Sequence, residues 1–315
     1  MPEHPFIHVA AAVIERDGHI LIAKRPDHLH QGGLWEFPGG KVELDEAVQD
    51  ALVRELHEEL DIEASHYEPL IRVHHDYDDR HVLLDVWRVT AFAGEARGRE
   101  GQAIRWVAPE EIGQYQFPAA NAPIVAAARL PAEYLITPEP QADEAFLAGL
   151  ERALQRGITL VQLRAKMLPQ QDYIELAHMT LLRCRDHGAR LMLNAEPQLL
   201  QQIHADGIHL NRTRLMSLQQ RPVAAEVWLS ASCHSEAEVA QANRLGVDFI
   251  VVSPVQPTRS HPEATPLGWE GLQRLTELAT MPVYALGGMA PEDVGKARRY
   301  GAQGIAAIGG LWGDG

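Results

Sequence analysis

Glu55, Glu58 and Glu59 carry the first chemistry legible in this 315-residue chain. On a helix they stand at i, i+3 and i+4 and share one face, where like charges cost roughly 0.2–0.5 kcal/mol per pair. The opposite face holds Ala47, Val48, Ala51, Leu52 and Leu56 and is suited to packing on a sheet. A repulsive triplet on a well-anchored helix makes sense if a hard divalent cation neutralises it; the alternative is an acidic, solvated face. Mg²⁺ is the expected ion, with Mn²⁺ as a substitute, because it takes oxygen ligands, keeps several waters and bridges to substrate phosphates. Glu46 and Arg54 are placed to brace the loop before the helix by an internal ion pair.

Those carboxylates need a rigid helix and a loop close to it. The spacing predicts a helix from about Asp45, as N-cap, to Leu60. Gly32, Gly33, Pro38, Gly39 and Gly40 punctuate the approach. Upstream, HVAAAVIERDGHILIAKR reads as two strands around an Asp17-Gly18 hairpin turn. Further strands are expected at 81–92 and 103–107, and a short helix around 119–129, which makes an α+β sandwich. From about residue 132 the rhythm becomes a regular alternation of strand and helix. Eight short apolar runs (YLITP, TLVQLRA, RLMLNA, GIHL, VWLSAS, FIVVSP, VYALGG and GIAAIGG) are separated by helix-period segments, several ending on Gly. Eight parallel strands with covering helices read as an α/β TIM-type (β/α)8 barrel, here expected to lack its last helix. The domains expected are 1–130 and 131–315, with almost no linker.

Composition agrees with two globular domains. Hydrophobic residues make up 46% against 23% charged, which argues against wholesale disorder. A net charge of −15 argues against a partner that is a nucleic-acid polymer, though not against a single nucleotide screened by a metal. Two cysteines, Cys184 and Cys233, allow neither a disulfide scaffold nor a CxxC metal site. No run approaches a membrane span and no signal sequence is evident, so a cytoplasmic, membrane-free protein is expected.

Gly40, then five residues, Glu46, then seven residues, then Arg54-Glu55-Leu56-His57-Glu58-Glu59-Leu60-Asp61-Ile62 resembles the Nudix box. One position departs: Asp61 stands where the family has glycine, at a helix end expected to be left-handed. WEFPGGK at 35–41 leads into the box as in Nudix hydrolases of the MutT (8-oxo-dGTP diphosphatase) type, and the resemblance covers residues 1–129. It implies an α/β/α sandwich in which the carbonyl of Gly39 and the carboxylates of Glu55, Glu58, Glu59 and Glu100 hold the metal. It also implies a nucleotide pocket of Arg25, Phe37, Tyr77, Arg80 and Asn121, with Lys41 near a phosphate or a carboxylate. Taken alone, Phe37 and Tyr77 read as core rather than pocket, and Asn121 is a weak signal. The activity implied is attack of water on the triphosphate of 8-oxo-dGTP and related oxidised guanine nucleotides, releasing monophosphate and pyrophosphate. Glu55 is the first choice of general base, with Glu100 or Glu58 as alternatives.

Residues 132–310 resemble thiamine phosphate synthase and its TenI relatives. The motifs that carry this are VQLRAK with Gln162, Arg164 and Lys166, then Asn194, Ser232 and His234 in SASCH, Thr258 in SPVQPTRSH, and Gly287 and Gly288 in ALGGM. Gln162, Arg164 and Lys166 alternate along one strand and point inward at its C-terminal end. The Gly pair exposes backbone N–H groups to a phosphate. The departures are as telling. Ala195 stands where the synthase has a metal-binding Asp, NRTRL (211–215) replaces its second acidic motif, and His261 replaces a pyrophosphate lysine. A working synthase is therefore not expected. His234 is left as acid/base of a metal-free tautomerisation or as a hydrogen-bonded barrel histidine. A phosphorylated thiamine-pathway molecule is the expected barrel ligand. The alternatives are a Nudix enzyme acting on a thiamine-pathway pyrophosphate, and a non-catalytic barrel that regulates the hydrolase.

Overall fold

A computed structural model describes residues 5–27, 31–77, 80–140, 143–258 and 263–313. The chain divides into two units, Met1–Arg129 and Leu130–Gly315.

In the first unit, β1 (Phe6–Arg16) and β2 (His19–Lys24) form the expected hairpin. Asp17 and Gly18 both take positive φ, 50° and 74°, as a tight right-twisted turn requires. Then follow β3 (Trp35–Glu36), β4 (Gly39–Lys41), α1 (Val48–Leu60), β5 (Glu63–Tyr77), β6 (Arg80–Ala93), β7 (Ile104–Val107) and α2 (Ala122–Arg129). One mixed sheet runs β3-β2-β1-β6-β5, with β4 on β1 and β7 on β2. Leu52, Leu56 and Leu60 of α1 pack on one face with Ala10, Ala12, Ile14 and Val89. Ile124 and Ala127 of α2 pack on the other with Val13, Val73 and Val86. Alternation along β1 thus feeds both layers of the sandwich.

Two details differ from the sequence reading. The helix begins at Val48 with Ala47 at its N-cap, not at Asp45, which lies in a turn at φ 63°. Arg54 explains the delay: it draws the Glu46 carboxylate across to the helix in two bonds of 2.9 Å, and that turns residues 43–47 away from helical geometry. The 15-residue β5 carries no clean apolar alternation and was not expected. Register shifts near Ala64, His66 and Pro69 break its period against β6, and as a sheet edge it buries few side chains.

In the second unit all eight apolar runs are strands: β8 (Glu133–Ile136), β9 (Leu160–Leu163), β10 (Arg190–Leu193), β11 (Gly207–Leu210), β12 (Trp228–Cys233), β13 (Phe249–Val252), β14 (Val283–Leu286) and β15 (Gly304–Ala307). They close in chain order into a parallel barrel. The covering helices are α3 (Asp143–Gln155), α4 (Gln170–Asp186), α5 (Leu200–Ile203), α6 (Arg212–Ser217), α7 (Glu236–Leu245), α8 (Gly268–Leu278) and α9 (Val294–Arg299). After β15 comes a single turn, α10 (Gly309–Trp312). The Trp312 ring packs 5.2 Å from Phe146, and a Cβ on Gly149 would lie 2.6 Å from it. Among the described residues no helix is long and apolar enough to cross a membrane.

Candidate active site and barrel mouth

Two glycines bring α1 against the sheet. β4 pairs with β1 through Ala11↔Gly39 and Ala10↔Gly40. Gly39 has φ 145°, and a Cβ there would sit 2.1 Å from the Ala10 carbonyl oxygen. A Cβ on Gly40 would lie 2.1–2.3 Å from the carboxyl atoms of Glu55. Only glycine lets the helix carboxylates come this close to the backbone. The Gly39 N–H donates to Glu59 Oε2 at 3.1 Å. Arg54 binds Glu55 Oε1 at 2.7 Å, Glu58 Oε2 at 3.5 Å and the Lys41 carbonyl at 3.1 Å.

The carboxylates fall into two groups. Glu59 is pushed up to about 8, first by burial, with Glu36, Glu55 and Glu100 adding repulsion against the Gly39 N–H. Glu58 points outward, 58% exposed, beside Arg54. Glu36 is the site residue missed in the sequence. Burial raises its carboxyl, its ion pair with Arg25 opposes this, and Glu100 raises it further. The signal lay inside WEFPGGK, an acid between two aromatics, and was absorbed into the motif. Among the described residues no three acidic, histidine or cysteine side chains already enclose a cation. The donor set nevertheless fits a hard divalent ion: Glu36, Glu55 and Glu100 are oxygen donors whose charges all reach Glu59, and the arginines present pair with Glu36 and Glu55 rather than with Glu59.

Of the predicted nucleotide residues, Arg25 is tied to this centre, and Phe37 and Tyr77 pack in the core on the sheet face that carries α2. Arg25 follows β2 and pairs with Glu36. Phe37 is buried and stacks on Phe117, ring centroids 5.3 Å apart, so it belongs to the core as well as to the wall. The Trp35 N–H donates to the Gln116 carbonyl at 2.8 Å, tying the FPAAN segment to β3. Asn121 ends a short turn there, half-buried, with no hydrogen bond from its side-chain amide to another described residue. Tyr77 and Arg80 face each other where β5 meets β6. Lys41 ends β4, exposed.

In the barrel the polar residues form two connected chains. Gln162 Nε2 donates to the Tyr134 hydroxyl at 3.0 Å, and Gln162 Oε1 accepts from Asn194 Nδ2 at 3.0 Å. Asn194 Oδ1 accepts from Arg214 Nη1 at 3.2 Å, and Arg214 Nε donates to Glu196 at 2.6 Å. His209 lies between Ser230 and Ser232, 2.9 and 2.7 Å from their hydroxyls. Arg164 pairs with Glu139 at 3.5 Å. Lys166 is exposed, with its ammonium lowered by partial burial and by Arg164. His234 is exposed, and its Nδ1–H donates to the Ser253 carbonyl at 2.7 Å. Thr258 lies on the loop after β13. Gly287 and Gly288, at φ 107° and 65°, are pressed against residues 254–257. His261 lies outside the described residues. A divalent cation does not fit here: Ala195 offers no donor, and Asn194 is bonded to a guanidinium.

His209 was passed over as part of the apolar run GIHL, although a lone polar residue on a barrel strand must find partners inside. Burial, then Arg214, His234 and Lys166, push its imidazole down to about 3. The folded barrel therefore keeps His209 neutral, while the unfolded chain protonates it near ~6.5. Stability is full above that pH and is lost as pH falls from about 6.5 toward 3. Urea unfolding at pH 5.5 is expected to show the barrel weaker than at pH 8, by on the order of 1 kcal/mol from this group. A His209→Asn protein losing none of that pH dependence would assign it elsewhere.

Comparison with known proteins follows the same division. Residues 9–127 match the NUDIX domain model, and residues 133–311 match the model of thiamine monophosphate synthase. A CTP pyrophosphohydrolase of Escherichia coli is 48% identical over 121 residues, 38% of this chain and 90% of that one. The 8-oxo-dGTP diphosphatase of the same organism is 35% identical over 121 residues, 38% of this chain and 94% of that one. A thiamine-phosphate synthase of Limosilactobacillus fermentum is 33% identical over 168 residues, 52% of this chain and 79% of that one.

Proposed function

Because the chain belongs to the Nudix family through its first unit and to the thiamine monophosphate synthase family through its second, we propose a nucleotide pyrophosphohydrolase with a phosphate-binding, non-synthase barrel. The first unit splits 8-oxo-dGTP and related oxidised guanine nucleoside triphosphates into monophosphate and pyrophosphate in a Mg²⁺-dependent reaction. The observation that carries the base assignment is Asn121, whose half-buried amide, with no hydrogen bond to another described residue, offers both a donor and an acceptor to a modified guanine edge. When bound, Mg²⁺ supplies positive charge to the triphosphate and makes an attacking water more acidic. Glu55, Glu58, Glu59, Glu100 and the Gly39 carbonyl would hold it. Water oxygen bonds to the β-phosphorus, the bond from that phosphorus to the oxygen bridging it to the α-phosphate breaks, the nucleoside monophosphate leaves with that oxygen, and the water proton passes to Glu55. Arg54 keeps that carboxylate aimed, and Arg25, Phe37, Lys41, Tyr77 and Arg80 hold the nucleotide.

A second reading, CTP as the preferred substrate, is favoured by the higher identity to the CTP pyrophosphohydrolase, 48% against 35%. The test is kcat/KM with Mg²⁺ for 8-oxo-dGTP, dGTP, CTP and hydroxymethylpyrimidine pyrophosphate, with products identified. A preference of about 10³-fold for the oxidised guanine is expected, since a site that hydrogen-bonds a base edge strongly rejects analogues lacking it. Preference for CTP would move the assignment to the second reading. Preference for the pyrimidine pyrophosphate would join both domains in one thiamine-pathway unit.

In the barrel, Gln162, Arg164, Lys166, Asn194, Ser232, His234, Thr258, Gly287 and Gly288 surround the phosphorylated ligand. The positive charge comes from side chains in place of a metal.

A further inference from the structure

Asp61, the one departure from the Nudix box, ends α1 at φ 60° and ψ 36°. Its backbone does what glycine would do there: the N–H closes the helix on the His57 carbonyl at 3.1 Å. Its side chain does something glycine cannot. One carboxylate oxygen binds Arg97 Nη2 and the other binds Arg99 Nη1 at 3.3 Å. The same two residues are laid along the helix end by their backbones. The Arg97 N–H donates to Leu60 O at 3.0 Å and the Arg99 N–H donates to Glu59 O at 2.9 Å. Gln102 completes the strap: its Nε2 donates to Glu59 O at 3.1 Å, and its Oε1 accepts from the Glu100 N–H at 2.8 Å. Glu100, one residue past Arg99, is thereby held within the field of Glu36 and Glu59.

We infer that Asp61 is a positioning residue, a latch that pins the 97–102 segment to the end of α1 and so presents Glu100 to the metal centre. The inference rests on the metal assignment proposed above. Its energetic signature is a separation of stability from metal affinity. The ion pairs are exposed at the arginines, 72% and 46%, so they add little to global stability. Glycine adopts the left-handed conformation freely, so its substitution relieves the backbone while releasing both arginines.

The experiment uses the full chain and three readouts: thermal midpoint without metal, Mn²⁺ affinity by electron paramagnetic resonance, and amide hydrogen exchange of residues 99–102 without metal. Asp61→Gly is expected to keep or raise the midpoint, to weaken Mn²⁺ binding about ten-fold as loss of an outer support to a metal ligand does, and to speed exchange in the strap. Asp61→Asn keeps the left-handed preference and an acceptor without the charge, and is expected to fall between. Arg97→Ala with Arg99→Ala should reproduce Asp61→Gly. Unchanged Mn²⁺ affinity and exchange in Asp61→Gly, beside a Glu59→Gln protein that no longer binds Mn²⁺, would overturn the latch and leave the metal site standing. If Glu59→Gln binds Mn²⁺ normally, the metal assignment fails and the latch fails with it.

Discussion

Glu59→Gln is expected to abolish hydrolysis and yet to make the metal-free protein more stable. Glutamine keeps the shape and the acceptor for the Gly39 N–H, a bond of 3.1 Å in the parent chain, so the helix and hairpin stay joined. What is lost is the carboxylate that the Gly39 N–H holds against the loop. Without it the metal would lose a ligand, and kcat/KM for 8-oxo-dGTP is expected to fall by about 10³-fold or more. The same change removes a carboxyl that burial, Glu36, Glu55 and Glu100 force to take up a proton on folding at neutral pH, a cost glutamine does not carry. In chelator, the midpoint should therefore rise above the parent's, and the stabilisation by added Mg²⁺ should shrink. A pyrophosphate-release assay and thermal melts with and without chelator read both effects. Full activity would refute the metal assignment; a lower midpoint in chelator would refute the repulsion argument.

No thiamine phosphate forms when the chain receives hydroxymethylpyrimidine pyrophosphate, thiazole phosphate and Mg²⁺. Ionisation of the pyrophosphate requires charge stabilisation as it departs; among the described residues no cluster of acidic side chains is placed to hold a metal, and Glu139 and Glu196 are paired with Arg164 and Arg214. Asn194 is bonded instead to Arg214, which Glu196 fixes at 2.6 Å. A guanidinium binds phosphate well but cannot sit where a carboxylate must coordinate a cation. The rate is expected to lie at least about 10³-fold below that of a synthase run in parallel. The Glu59→Gln background keeps the first domain from consuming the substrate. Product at a synthase-like rate would restore the barrel to full catalysis and remove Arg214 from the account.

Much of this was legible without coordinates because it is local. Glu55, Glu58 and Glu59 are four residues apart at most, so helical spacing alone sets their common face, and the eight barrel strands announced themselves as short apolar runs of four to seven residues. The eight-strand order followed from chain order, since parallel strands joined by helices have few alternatives. The β5 strand did not follow, because an edge strand broken by register shifts has no period to detect.

Tertiary structure decided which groups meet. Glu36 and Glu100 are 64 positions apart in the sequence, and only the β2–β3 pairing and the strap on α1 bring them into one field with Glu59. Likewise His209 became a neutral, serine-bonded group, and Arg214 the partner of Asn194, only on closure of the barrel. Sequence alone determined residue types and their local periods, because neighbours along a helix or strand are set by backbone geometry. Burial and the fields between distant charges depend on which segments pack together, and those were decided by the folded structure.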